Sequence, residues 1–81
     1  MSKRNTAERQ AYNVLGKLTS REYEIAMKIG QGLVNKDIAH QLGISEKTVR
    51  NCLTVIYEKL GVTGRLELAL FLSKNNYAAI Q

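Results

Sequence analysis

Proline is absent from this 81-residue sequence, which holds one cysteine, Cys52, and one histidine, His40. A lone thiol cannot close an internal disulfide, and two soft ligands cannot complete a tetrahedral zinc site. Neither a stapled fold nor a metal-supported one is therefore available, and no metal or cofactor is expected. No apolar run approaches the roughly 20 residues that span a bilayer. The opening residues Met1, Ser2, Lys3, Arg4 and Asn5 lack the apolar stretch of a secretory signal. A soluble, cytoplasmic protein without a membrane partner is the expectation. Catalysis also lacks its groups. The single His and the single Cys fall on different predicted helices, no carboxylate pair is set apart, and no glycine loop has phosphate-binding spacing, so an enzyme is not expected.

Acidic residues are in short supply as well. Twelve Lys and Arg against seven Asp and Glu leave a net charge of +5. Such a balance favours an anionic partner, with nucleic acid and anionic membrane surfaces the usual ones. Residues 1–17 carry +3 of that charge through Lys3, Arg4, Arg9 and Lys17 against Glu8. The charge alone does not choose between the two.

What is present is helical periodicity. No segment alternates at period two, whereas apolar residues recur at spacings of three and four. The predicted class is all-α, a single domain, since 81 residues are too few for two cores. In residues 1–17, Ala7, Ala11, Val14 and Leu15 suit a short helix from about Thr6 to Leu15, and an arm is the alternative. The first firm helix begins at Thr19, which with Glu22 forms a capping box, and it buries Ile25, Ala26 and Ile29 before Gly30 and Gly32. The second helix starts near Asn35, a good N-cap residue, and turns Ile38, Ala39 and Leu42 inward. Gly43-Ile44 makes a tight turn and Ser45 caps the third helix, whose face of Val49, Cys52, Leu53, Ile56 and Leu60 runs to Gly61. A fourth helix covers Arg65 to Lys74.

Two helices joined by a short turn that contains glycine make a helix-turn-helix unit, here from Lys36 to Leu60. The second helix of such a unit enters the major groove of DNA. On its outward side stand Lys47, Arg50, Asn51, Thr54 and Glu58, opposite the apolar stripe. Arg50 can pair bidentately with guanine, Asn51 with adenine, and Thr54 can touch a thymine methyl. Ser45, Lys47 and Thr48 sit at the helix start, where free N–H groups favour a phosphate, and Asn35 and Lys36 extend the phosphate-facing set. By spacing alone, an ordinary solvated helix face accounts for Arg50, Asn51 and Thr54 equally well. The remaining special residues read plainly: His40 as exposed, Cys52 as a small apolar residue, and the four tyrosines as too scattered for a base-stacking platform.

The runs Leu18-Thr19-x-Arg21-Glu22-x-Glu24-Ile25, Gly32-x-x-Asn35-Lys36-Asp37-Ile38-Ala39-x-x-Leu42-x-Ile44-Ser45-x-Lys47-Thr48-Val49 and Ile56-x-x-Lys59-Leu60-x-Val62-x-x-Arg65 resemble the LuxR-type helix-turn-helix domain. That domain is the output half of NarL/FixJ-class response regulators and quorum-sensing receptors, and it stands alone in small GerE-like regulators. The resemblance covers about residues 18–72. It implies a four-helix fold, sequence-specific binding to double-stranded DNA, transcription regulation, and a homodimer on paired half-sites with contacts through the fourth helix. There Leu66, Leu70 and Ser73 lie off the Leu68/Leu72 stripe, although an all-core role for these leucines is also open. RNA polymerase is a candidate further partner, and the bacterial nucleoid the expected location. One position departs from the pattern: members commonly carry histidine where this chain has Cys52. The alternative function is a protein-interaction adaptor working through a partner regulator. The expected layout is an arm or short helix over 1–17 and the DNA-binding domain over 18–76. Either a free-standing regulator or the output half of a longer one fits.

Overall fold

Helix boundaries in this chain follow its hydroxyl and glycine residues. The computed structural model describes residues 15–74. Among them are four helices and no strand: α1 (Ser20–Gly30), α2 (Asn35–Leu42), α3 (Glu46–Leu60) and α4 (Arg65–Lys74). The expected helix from Thr6 lies outside the described residues except for its last member, Leu15, which is buried against the core.

Thr19 starts α1 as a complete capping box. Its hydroxyl accepts from the Glu22 backbone N–H at 3.1 Å, and Glu22 Oε1 accepts from the Thr19 N–H at 2.9 Å. Two otherwise orphaned donors are thereby satisfied reciprocally. Ser45 caps α3 in the simpler way, accepting from the Thr48 N–H at 3.0 Å. The start of α2 departs from the sequence reading. Val34, not Asn35, is the N-cap, with no side-chain cap bond, and Asn35 is the first helical residue. The Asn35 side chain is turned instead to Arg65.

The ends of α1, α2 and α3 share one device. At the end of α2, Gly43 adopts φ 68°, in the left-handed region that a Cβ disfavours. That conformation lets the Ile44 N–H reach back to the Ala39 carbonyl at 3.0 Å, as in a Schellman ending. The same geometry recurs as Leu33 N–H to Lys28 O after Gly32, and as Val62 N–H to Tyr57 O after Gly61. Each glycine is followed by an apolar residue, Leu33, Ile44 or Val62, that is half-buried against the core. The chain therefore turns and re-enters the core in the same two residues. Gly30, expected to help end α1, is its last helical residue; the left-handed position falls to Gly32.

The helices assemble as two packed pairs. α1 packs on α4 and also on α3, while α2 packs on α3. Their inward stripes merge into one core of Leu15, Ile25, Ala26, Ile29, Ile38, Ala39, Val49, Leu53, Ile56, Leu60, Leu68 and Leu72. No polar or charged residue is buried among the described residues, so the interior carries no hydrogen-bonding debt. Each fully buried Ile or Leu contributes about 1.5–3 kcal/mol, which matters in so small a domain. No described helix is long and apolar enough to cross a membrane.

Core and turn should respond differently to substitution. Ile56 is fully buried, so Ile56→Ala should cost about 2–5 kcal/mol through lost burial and a cavity. A Cβ at Gly43 would meet nothing within 4 Å, so Gly43→Ala should cost only the backbone strain, about 1–2 kcal/mol. Chemical denaturation of the two variants checks both. A loss at Gly43 as large as that at Ile56 would mean that the turn is also a packing site.

Candidate nucleic-acid interface

α3 is held on one side and open on the other. Val49, Leu53, Ile56 and Leu60 are buried, while Lys47, Arg50, Asn51, Thr54 and Glu58 are exposed, so the expected outward face is the observed one. Ala39 is buried, and Ile44, half-buried, packs on the core beside the α2–α3 junction. Cys52 is half-buried against that core, as a small apolar residue would be, and His40 is exposed.

The side chains on the open face differ in what they have left to offer. Among the described residues, Lys36, Lys47, Arg50 and Asn51 make no side-chain hydrogen bond or ion pair, and all four are exposed. Thr54 donates its hydroxyl to the Arg50 carbonyl at 3.2 Å, leaving its methyl and lone pairs to a partner. Ser45 and Thr48 are paired, their hydroxyl oxygens 2.9 Å apart in addition to the cap bond. Both therefore stand organised at the start of α3. Asn35 is half-buried and its Oδ1 accepts from Arg65 Nη1 at 3.3 Å, which leaves its Nδ2 donors and its backbone N–H for an anion. Leu66 and Leu70 are exposed to 73% and 58%, and Ser73 is exposed too, whereas Leu68 and Leu72 are fully buried. The fourth helix thus has an apolar outer side that its own core does not use.

Among the described residues, polar links between elements hold this arrangement, and none of the three that follow was legible as a pair in the sequence. Lys28 Nζ donates to Gln41 Oε1 at 2.8 Å, tying α1 to α2. Lys59 Nζ meets Glu22 Oε1 at 2.7 Å, joining the far end of α3 to the cap of α1. Arg65 donates to the Leu33 carbonyl and to Asn35, reaching from α4 to the α1–α2 turn. Glu22 was expected only as a cap, while Lys59 and Arg65 stood in the family pattern without a role. Sequence separations of 13 to 37 leave no local signal for such partners. No group of three or more His, Cys, Asp or Glu that could hold a metal occurs among the described residues.

The description "Bacterial regulatory proteins, luxR family" matches residues 16–72. The chain belongs to the LuxR family. The family is one of helix-turn-helix transcription regulators, and the all-α, four-helix fold agrees with it. Among relatives, the chain is similar to the transcriptional regulatory protein LnrK of Bacillus subtilis, 44% identical over 59 residues, 73% of this chain and 27% of that protein. It is similar to the transcriptional regulatory protein UhpA of Escherichia coli, 48% identical over 52 residues, 64% of this chain and 26% of that protein. A putative HTH-type transcriptional regulator of Mycobacterium bovis, Mb0914c, is 43% identical over 53 residues, 65% of this chain and 6% of that protein. The chain thus spans about a quarter or less of the length of these curated relatives. No solved structure matches it at a significant level.

The Glu22–Lys59 link carries a pH dependence. The Lys59 ammonium, and then the Thr19 backbone N–H, hold the Glu22 carboxyl below its ordinary value of 4.5. Because the folded state binds this proton less readily than the unfolded one, the stabilisation is present at neutral pH and is lost as the pH falls below 4.5. Glu22→Gln removes the titrating group. The parent should be the more stable at about pH 7, with the gap closing towards about pH 3. Denaturation midpoints at both pH values check this, and a gap that stays constant would mean the pair adds nothing that depends on charge.

Proposed function

We propose that this domain binds double-stranded DNA sequence-specifically and regulates transcription, with α3 lying in the major groove. The observation that carries the reading is the uncommitted Arg50 and Asn51 pair, exposed on the capped second helix of a helix-turn-helix unit. The guanidinium suits guanine O6 and N7, the amide suits adenine N6 and N7, and the Thr54 methyl suits thymine. Phosphates would be met by Lys47, by Ser45 and Thr48 at the start of α3, and by Lys36 with Asn35 at the start of α2. Residues 18–76 form the DNA-binding unit in this reading, and 1–17 an arm or short helix before it. An adaptor role through a partner regulator would call for an acidic or apolar outer face on α3. Lys47 and Arg50 count against it, tempered by Glu46 and Glu58.

The active form we infer is a homodimer on two half-sites. One recognition helix reads about four or five base pairs, too few to select a site in a genome, whereas two half-sites multiply the selectivity. A symmetric pair needs a self-complementary patch, and a helix supplies one by crossing its own copy. Leu66 and Leu70, beside an open groove also lined by Thr63 and Glu67, provide the apolar part of such a patch, with Ser73 further along. Two exposed leucines are too few for an obligate interface, so assembly strengthened by neighbouring half-sites is expected. RNA polymerase is a candidate partner once the domain is on DNA.

Selection of bound sequences from a random duplex pool tests the reading and yields the half-site. On that site, Arg50→Ala or Asn51→Ala should cost about 1–3 kcal/mol and flatten preference at one or two positions, whereas Lys47→Ala should weaken all sequences alike and lower the salt slope by roughly one. Equal losses on selected and random DNA for Arg50 and Asn51 would reduce them to phosphate contacts. For the dimer, Leu70→Glu should abolish cooperative filling of two half-sites while single-site binding persists. If one half-site binds the parent as tightly as two, the α4 interface fails.

A further inference from the structure

We propose that Arg65 is a positioning residue for DNA binding: from the first turn of α4 it holds the start of α2 where Lys36 can meet a phosphate. The proposal rests on reading α2 and α3 as the DNA-binding unit. α1 and α3 each begin at a hydroxyl residue that bonds the first turn, but α2 begins at Val34, which is 54% exposed and caps nothing. Arg65 supplies the missing constraint from outside the helix. Its guanidinium donates to the Leu33 carbonyl and, at 3.3 Å, to Asn35 Oδ1, bracketing Val34 on both sides. A planar fork with several fixed donors can hold two acceptors at once, as an ammonium on a flexible stem does poorly.

The wider packing gives this link its consequence. α4 packs chiefly on α1 and α2 chiefly on α3, so Arg65 reaches from one helix pair to the other. It is half-buried beside Tyr57, whose phenol is pushed up by burial and pulled back by the Arg65 charge. Both bonded acceptors are neutral. Unlike Lys59, which is matched by Glu22, Arg65 makes no ion pair, so it brings a positive charge to the start of α2, a first turn that also carries exposed Lys36 and Asp37. Holding that segment in place costs a partly buried charge, and the gain falls where the phosphate contacts are assigned.

A double-mutant cycle of Arg65→Lys and Asn35→Ala, titrated onto the selected duplex and onto random duplex across a salt series, tests the proposal. Each single change should weaken both duplexes alike, by about three- to tenfold, lower the salt slope by up to about one, and leave base preference intact. The double variant should bind no worse than Arg65→Lys alone, because both changes break one link. Lower melting temperatures with unchanged salt slopes would overturn the proposal and leave Arg65 a stability residue. Additive losses would overturn it differently, by making Arg65 a phosphate contact in its own right. Should Arg65→Lys melt below the working temperature, Asn35→Ala carries the test alone, and an unchanged slope there is decisive against it. A parent protein that binds neither duplex would bring down the DNA-binding reading itself, whereas a parent that binds with unaltered variants brings down only the role of Arg65.

Discussion

The turn through Gly43 and Ile44 sets the angle between α2 and α3, and the rest of the site inherits that angle. The left-handed glycine reverses the chain, the Ile44 N–H closes on Ala39, and the Ile44 side chain returns, half-buried, against the core. Ser45 follows at once as the cap of α3. Within three residues one helix ends, the chain touches the core again, and the next helix begins. An outward face on α3 has meaning only because the inward face is pinned in this way by Val49, Leu53, Ile56 and Leu60.

Around that turn the fold divides its interactions by strength. The apolar core supplies most of the stability, since among the described residues twelve buried apolar side chains meet with no polar group between them. The three polar links between elements lie at the margins of that core: Lys28–Gln41 is exposed and the other two are part-buried, and together they add little beside the apolar burial. Their value is geometric. Lys28 with Gln41, Lys59 with Glu22, and Arg65 with Leu33 and Asn35 each join different elements and resist the sliding that a purely apolar core of short helices would allow. The positive groups are also sorted by these links. Lys59 is neutralised by its carboxylate, while Lys36, Lys47 and Arg50 remain free on the side assigned to DNA. The modest net charge of +5 therefore understates what that surface can present to an anion.

α4 shows how the same residue type is used in two ways within ten residues. Leu68 and Leu72 complete the core, whereas Leu66 and Leu70, two residues away and so on the opposite side of the helix, stay exposed. Its alternation of inside and outside leucines leaves little amphipathic signal, which is why an all-core role and an association surface stood level in the sequence. Packing against α1 separated the two sets by deciding which side of α4 faces inward.

Much of this protein was readable from local chemistry alone. Thr19 with Glu22, Ser45, and the glycines at 43 and 61 act on groups within four or five residues of themselves, so the sequence placed those helix ends correctly. The three- and four-residue spacing of Val49, Leu53, Ile56 and Leu60 likewise determined which side of α3 is buried, and so which side carries Arg50, Asn51 and Thr54. The start of α2 went differently. Asn35 has the chemistry of an N-cap, and by local preference it would be one, but a guanidinium 30 residues away claims its side chain and Val34 takes the cap position. The pairing of Lys59 with Glu22 and the sorting of the α4 leucines were hidden for the same reason. A hydrogen bond or a packed face between distant residues depends on where the helices come to rest, and that position is set jointly by the whole core. The sequence determined what each segment could do by itself; the tertiary structure decided which of those options remained once another segment lay against it.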